Sequence, residues 1–270
     1  MKKLLFLLPA IALVMLSCGN YATERDVFAT DSVTVADSSA QVLVTMTVDF
    51  PTSNSLLSNA VREYINENLG GTYDGDLTDA KAMLDSYVQK VFKSLEEMVG
   101  EMGDRPEIMQ LYEDVNIRLL EETDRYVTYT VAIDTYYGGA HGSHIFYGAT
   151  FRKTDGRRFG ADAVRTPSDF EEADGWHQLL KEGVRSYFSA QADVSTDEQL
   201  KGILLGVDNV NFIPSPQYAY YFTKDGVCFV YQQYEIAPYA AGLPSFTIPY
   251  ADIRPYLTAT AAALTTEETN

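Results

Sequence analysis

Cationic residues are scarce in this chain: 20 Lys and Arg face 38 Asp and Glu over 270 residues, a net charge of −18 at pH 7. Nucleic acid is a poor partner for such a composition, because binding it releases phosphate counterions and needs basic patches. Histidine occurs three times and cysteine twice, with no zinc-site spacing among them. The Gly-x-Ser-x-Gly elbow of nucleophilic hydrolases and the glycine loops that cradle phosphates are also missing. Only one long apolar run exists, Leu4–Leu16, and its thirteen residues are too few to span a bilayer.

What is present begins with that run. Met1-Lys2-Lys3 supplies the charged start of an export signal and Leu4–Leu16 its apolar core. The block ends Leu16-Ser17-Cys18-Gly19, which resembles the lipobox of bacterial lipoproteins. On that resemblance residues 1–17 are a signal peptide, and Cys18 becomes the lipid-bearing first mature residue, so that acyl chains do the anchoring. Cys228 is then the single remaining thiol, no internal disulfide can form, and the core alone holds the fold. A mature chain of about 250 residues buries roughly 70–75% of its unfolded surface, which is enough. Without Lys2 and Lys3, 18 basic residues face 38 acidic ones, a net of −20. Such a field steers cationic partners in from solution, or simply keeps an exported chain soluble.

Residues 18–40 are rich in Thr, Ser, Asp and Ala, and predict a lipid anchor followed by a flexible tether. From Gln41 the pattern changes: Val42, Val44, Met46, Val48 and Phe50 alternate with polar neighbours, the period of a half-buried strand. Helical spacing of Leu56, Leu57, Val61, Tyr64, Ile65 and Leu69 follows a capping cluster at 52–55 and ends at Gly70-Gly71. A second helix is predicted over 78–102, carried by Leu84, Tyr87, Val88, Val91, Leu95 and Met98. Strands are expected over 115–120, 127–133 and 145–151, the last turning at Asp155-Gly156. Helices over 168–188 and 196–205 precede a hairpin, 218–222 and 227–234, around Asp225-Gly226, then a strand through Phe246 and Ile248. Residues 258–270 read as a frayed tail. Helices and strands come in blocks, so the class is α+β: an antiparallel sheet of hairpins packed against amphipathic helices. Two similar-sized subdomains, 41–140 and 141–257, are expected to meet at a glycine-rich junction.

That junction, Tyr136-Tyr137-Gly138-Gly139-Ala140-His141-Gly142, resembles the exported domains of the anti-sigma factor RsiV and the peptidoglycan deacetylase PdaC. So do Phe222-Thr223-Lys224-Asp225-Gly226, the stretch from Tyr234 to Gly242 and Ile248-Pro249-Tyr250, in the same order. The resemblance spans 41–257. It implies that fold and, since the RsiV domain binds lysozyme, a ligand such as a lysozyme-type muramidase or a cell-wall glycan, met outside the membrane in the bacterial envelope. The chain lacks the deacetylase catalytic domain, and no second apolar run would serve a sigma-regulating transmembrane protein.

Tyr136, Tyr137, His141, Pro238 and Tyr239 are the candidate partner-binding or loop-organising residues. Tyrosine at a loop tip contacts proteins and sugars well, and equally these segments can pack on each other to close the sheet. His141 and His144 stand three apart, on opposite faces of any strand, so no metal is expected, and no cofactor. Cys228 lies in an alternating strand and reads as an inert thiol. A non-enzymatic binding domain is the first reading. A cell-wall hydrolase with an unidentified carboxylate pair, which would have to sit at a set distance across a cleft, and a structural envelope protein are the others.

Overall fold

Alternation in 42–50 puts five large apolar side chains on one side of a strand, and that side becomes the core of the first lobe. The computed structural model describes residues 28–103, 110–165, 167, 169–192, 194–218 and 220–265. Cys18, the export signal and the first part of the expected tether lie outside them. Strands β1 (Thr30–Ser38) and β2 (Val42–Pro51) pair antiparallel along their whole length, from Thr30 opposite Pro51 to Ser38 opposite Leu43. The flexible tether expected through residue 40 is therefore corrected: its last third is an edge strand. Only Val33 and Val35 lean on the core while the other face is polar, so the composition resembles a linker, and the strand owes its order to its neighbour.

Helices α1 (Leu56–Asn68) and α2 (Ala80–Met102) start where short polar side chains satisfy the first free N–H groups. Ser55 accepts from Ser58 N and Asp79 from Ala82 N, the role for which such residues are favoured. Both helices bury one stripe on the sheet: Leu57, Val61, Tyr64 and Ile65 from α1, and Leu84, Tyr87, Val88 and Leu95 from α2. The chain re-enters the sheet as β3 (Leu111–Glu122), parallel to β2, with Met46 opposite Val115. An all-antiparallel sheet was expected; two intervening helices return the chain to the end from which β2 started, which a tight turn cannot do.

β4 (Tyr126–Tyr136), β5 (Ser143–Arg152) and the two-residue β6 (Arg158–Phe159) add antiparallel, giving a six-stranded sheet in sequential order. The expected subdomain boundary at 140/141 is thus corrected. It falls at a hairpin tip inside one sheet, whose pairing runs from Tyr126 opposite Arg152 to Thr135 opposite Ser143. Glycines signalled the turn correctly, with Gly138 and Gly139 at φ +94° and +97°, but a turn between paired strands is not a junction between lobes.

The second lobe follows β6. It contains α3 (Phe170–Ala192), α4 (Asp197–Ile203) and a three-stranded antiparallel sheet of β7 (Tyr221–Thr223), β8 (Gly226–Val230) and β9 (Ser245–Pro249). Short helices α5 (Tyr250–Ile253) and α6 (Ala259–Ala262) close it. Its core gathers Trp176, Leu180, Phe222, Val227, Phe229, Ile248 and Leu257. The tail expected from 258 is ordered as far as Thr265: Ala261 and Leu264 are buried in this core, and Thr258 N donates to Ala163 O at 2.9 Å. Small residues hid that contact, since alanine and threonine carry little apolar signal. The α+β class holds.

The lobes meet on the back of β4 and β5. Phe222 N donates to Thr150 Oγ1 (2.8 Å), Thr128 Oγ1 donates to Phe222 O (2.7 Å), and the two hydroxyls lie 2.8 Å apart. Each hydroxyl has one proton, and that of Thr128 is spent on the carbonyl, so Thr150 must donate to Thr128. The result is a closed ring of three bonds, all fully buried. Beside it Tyr221 lies against Gly148, where a Cβ would come 2.7 Å from the tyrosine ring. Thr128→Val keeps the shape but strands a buried carbonyl, and should lower stability by about 1–3 kcal/mol in urea unfolding. Asp31→Asn, at an exposed position of β1, should stay within about 0.5 kcal/mol.

Candidate functional site

Alternation in β4 sends Tyr136 and Tyr137 to opposite faces of the sheet. On the helix side Tyr137, 41% exposed, donates its hydroxyl to Glu113 and borders a cavity of about 260 Å³ with Leu69, Val91, Leu95 and Met98. Burial first, then that carboxylate, pushes its phenol above the ordinary value. On the back face Tyr136 stacks on Tyr112, its cross-strand partner, with centroids 6.3 Å apart, and donates to Gly139 O at 3.0 Å. The two tyrosines therefore do not form one patch.

His141 does join the second lobe. Its ring stacks on Tyr239 with centroids 4.0 Å apart and 27° between planes, and its Nε2 lies 3.3 Å from the Tyr234 hydroxyl. Nδ1 sits 2.8 Å from Gly142 O, a contact that suits a protonated Nδ1. Tyr234 and Tyr239 are 5.9 Å apart. Pro238, exposed, leads into the 3-10 turn Tyr239–Ala241 and fixes the approach of the ring. Tyr234 was not singled out in sequence; it was read as the end of a strand. In fact β8 stops at Val230, and Tyr234 takes φ +66°, an uncommon conformation for a bulky residue, with its side chain 56% exposed.

What holds this loop is the free edge of β5. Gln232 pairs with Phe146 through both ends of its amide, accepting from Phe146 N (3.2 Å) and donating to Phe146 O (2.8 Å), and Gln233 Oε1 accepts from His144 N (3.1 Å). A side chain thus occupies the ladder position of a neighbouring strand.

Beside the aromatic cluster, cross-strand register lines up Asp114, Asp134 and His144 on the back face. His144 Nδ1 is 2.6 Å from Asp134 Oδ1, while Asp114 faces Asp134 directly and receives Asn116 Nδ2 at 3.1 Å. Burial first, then the like charge of Asp134, raises the Asp114 carboxyl above the ordinary range; Asn116 and Arg118 oppose this. None of these carboxylates was legible as a group, since strand register places them together. His141 and His144 do not converge, and the described residues contain no group of three or more His, Cys, Asp or Glu arranged to hold a metal. Cys228, half-buried in β8, has Thr247 Oγ1 at 3.0 Å, and burial pushes its thiol up, away from nucleophilic use. Two other glutamates are held in ion pairs, Glu122 with Lys153 and Glu172 with Arg165. No helix among the described residues is long and apolar enough to cross a membrane.

Fold and surface define a two-lobed α+β protein whose aromatic loops and acidic strand row meet at one hairpin tip. Residues 171–251, from the first turn of α3 into α5, match the family described as "Protein of unknown function (DUF3298)". Two solved structures share the fold. A member of the DUF3298 family from Bacteroides fragilis NCTC 9343 has a TM-score of 0.70 at 20% identity, over 89% of this chain and 98% of that one. A DUF3298 family protein from Pseudomonas aeruginosa PAO1 gives 0.61 at 16% identity, over 88% and 97%. No curated protein matches the chain.

A carboxyl with a raised folded-state pKa costs stability when ionised. That cost is present above the folded value and gone below the unfolded one. Asp114→Asn should therefore raise the melting temperature at pH 7, and the gain should vanish by about pH 3, under the ordinary aspartate value. Thermal unfolding at both pH values checks it.

Proposed function

We propose that this chain is a lipid-tethered binding domain of the bacterial cell envelope that recognises a cationic protein at the hairpin tip. The observation that carries the reading is the surface itself. Exposed Tyr234, with Tyr239 stacked on His141, adjoins the Asp114–Asp134 row, where two carboxylates stand opposite each other and His144 flanks Asp134 on the next strand. Rigid aromatic rings are common anchors in protein interfaces, and like-signed carboxylates side by side become favourable when a partner's cation arrives between them. The net charge of the chain, −18, steers such a partner in.

A lysozyme-type muramidase is the first partner to try, on the resemblance of 136–142 and 234–242 to the RsiV exported domain. The tether follows from Leu16-Ser17-Cys18 and its likeness to a lipobox. Contact residues are Tyr234, Tyr239 and Asp134, with His141 and Pro238 holding the rings in place; Tyr136 and Tyr112 extend the face.

Binding of the purified full chain to hen lysozyme, read by calorimetry at about 50 and 300 mM salt, tests the reading. Expected is micromolar or tighter affinity that survives the higher salt, and a loss of about tenfold or more in Tyr234→Ala and Tyr239→Ala without a fall in melting temperature. Asp134→Asn should slow association and flatten its salt dependence. Binding that disappears at the higher salt is charge attraction alone and overturns the proposal, as does no binding.

A further inference from the structure

A cavity of about 440 Å³ opens between the lobes, where the end of α1, the middle of β5, the β6 segment and Tyr218 meet. Its size lies within the range of small-molecule pockets, ~300–1,000 Å³, and lobe interfaces are where such pockets concentrate. It lies on the helix side of β5, whereas the Asp114–Asp134 row is on the back.

The walls combine flat aromatic surface with planar polar groups. Tyr147 of β5 and Tyr218 of the second lobe stack with centroids 4.6 Å apart and 12° between planes, so each lobe supplies one ring. The Tyr147 hydroxyl donates to Asn68 Oδ1 at 2.5 Å, and Asn68 Nδ2 donates to Tyr64 O at 2.6 Å, which fixes the amide at the rim. Arg158 bonds Glu67 at 2.6 Å and lies over the Tyr64 ring. Asp162 is held by Arg157 at 3.0 Å and by Gly160 N at 2.9 Å. Burial acts to raise its carboxyl, but these bonds outweigh that and hold it below the ordinary value, so it accepts hydrogen bonds and does not serve as an acid. Tyr64 is 4% exposed, and its hydroxyl has no hydrogen-bond partner among the described residues, which buried polar groups seldom tolerate.

This mixture matches one ligand chemistry. A sugar ring offers a C–H face to aromatic surface and a rim of hydroxyls that both donate and accept, for which carboxylate, amide and guanidinium groups held in fixed orientation are complementary. An anionic ligand would need an unpaired cation, and Arg158 is already neutralised by Glu67. We propose that the interlobe pocket binds a neutral mono- or disaccharide, packed against the exposed surface of Tyr218 that Tyr147 leaves uncovered and hydrogen-bonded by Asn68, the Glu67–Arg158 pair and Asp162. The site stands independently of any partner at the hairpin tip.

Saturation-transfer NMR and calorimetry on the full chain test it, with glucose, N-acetylglucosamine, cellobiose and chitobiose as neutral probes and glucuronate as the anionic one. Expected is saturable binding of at least one neutral sugar, weakened about tenfold or more by Tyr218→Ala and by Asp162→Asn. Asp162 is on the surface, so its variant keeps the test decisive should Tyr218→Ala lose the fold. No saturable binding of a neutral sugar by the folded chain, affinity unchanged in Asp162→Asn, or binding of glucuronate alone overturns the proposal.

Discussion

The two lobes are fastened by a ring of three hydrogen bonds in which two threonine hydroxyls complete the backbone of Phe222. Its strength comes from where it sits. Inside a water-free seam each bond polarises the next, and each group left over would be costly, so the ring is either whole or a liability. It also fixes geometry, because Thr128 and Thr150 are direct cross-strand partners on the paired strands β4 and β5. The second lobe is thereby registered against the hairpin, with Gly148 bare to admit the ring of Tyr221. The hairpin tip, the loop around Tyr234 and the wall shared by Tyr147 and Tyr218 all inherit their positions from that seam.

Elements that bury a full stripe could be read from the chain. β2, α1 and α2 announce themselves through strict alternation or three-and-four spacing, and Ser55, Asp79 and Gly70-Gly71 mark their ends. Elements that borrow their order from neighbours could not. β1 offers two valines to the core, α6 and the turn after it an alanine and a leucine, and β7 is three residues long. The parallel pairing of β2 with β3 depends on where α1 and α2 return the chain, which a local pattern does not contain.

The same division applies to the surface. Glycines at 138, 139 and 142 identified the tip, while the contact of His141 with Tyr239, nearly a hundred residues apart, is visible only in the structure. Asp114, Asp134 and His144, spread over thirty residues of sequence, become neighbours only through register, and Tyr234 owes its exposure to a strand that ends four residues earlier than its aromatic run implied. Conversely Tyr137, adjacent to Tyr136 in sequence, is separated from it by the whole thickness of the sheet, because side chains alternate along a strand.

Gln232 carries a consequence of another kind. An unpaired strand edge is a template on which a second chain can lengthen the sheet, and β5 between Ser143 and Gly148 would be such an edge. One amide side chain satisfies Phe146 on both its polar groups, so the edge is sealed without the fold having to supply another strand. With Gln233 accepting from His144 N, cover for this edge comes from two loop side chains that belong to neither core.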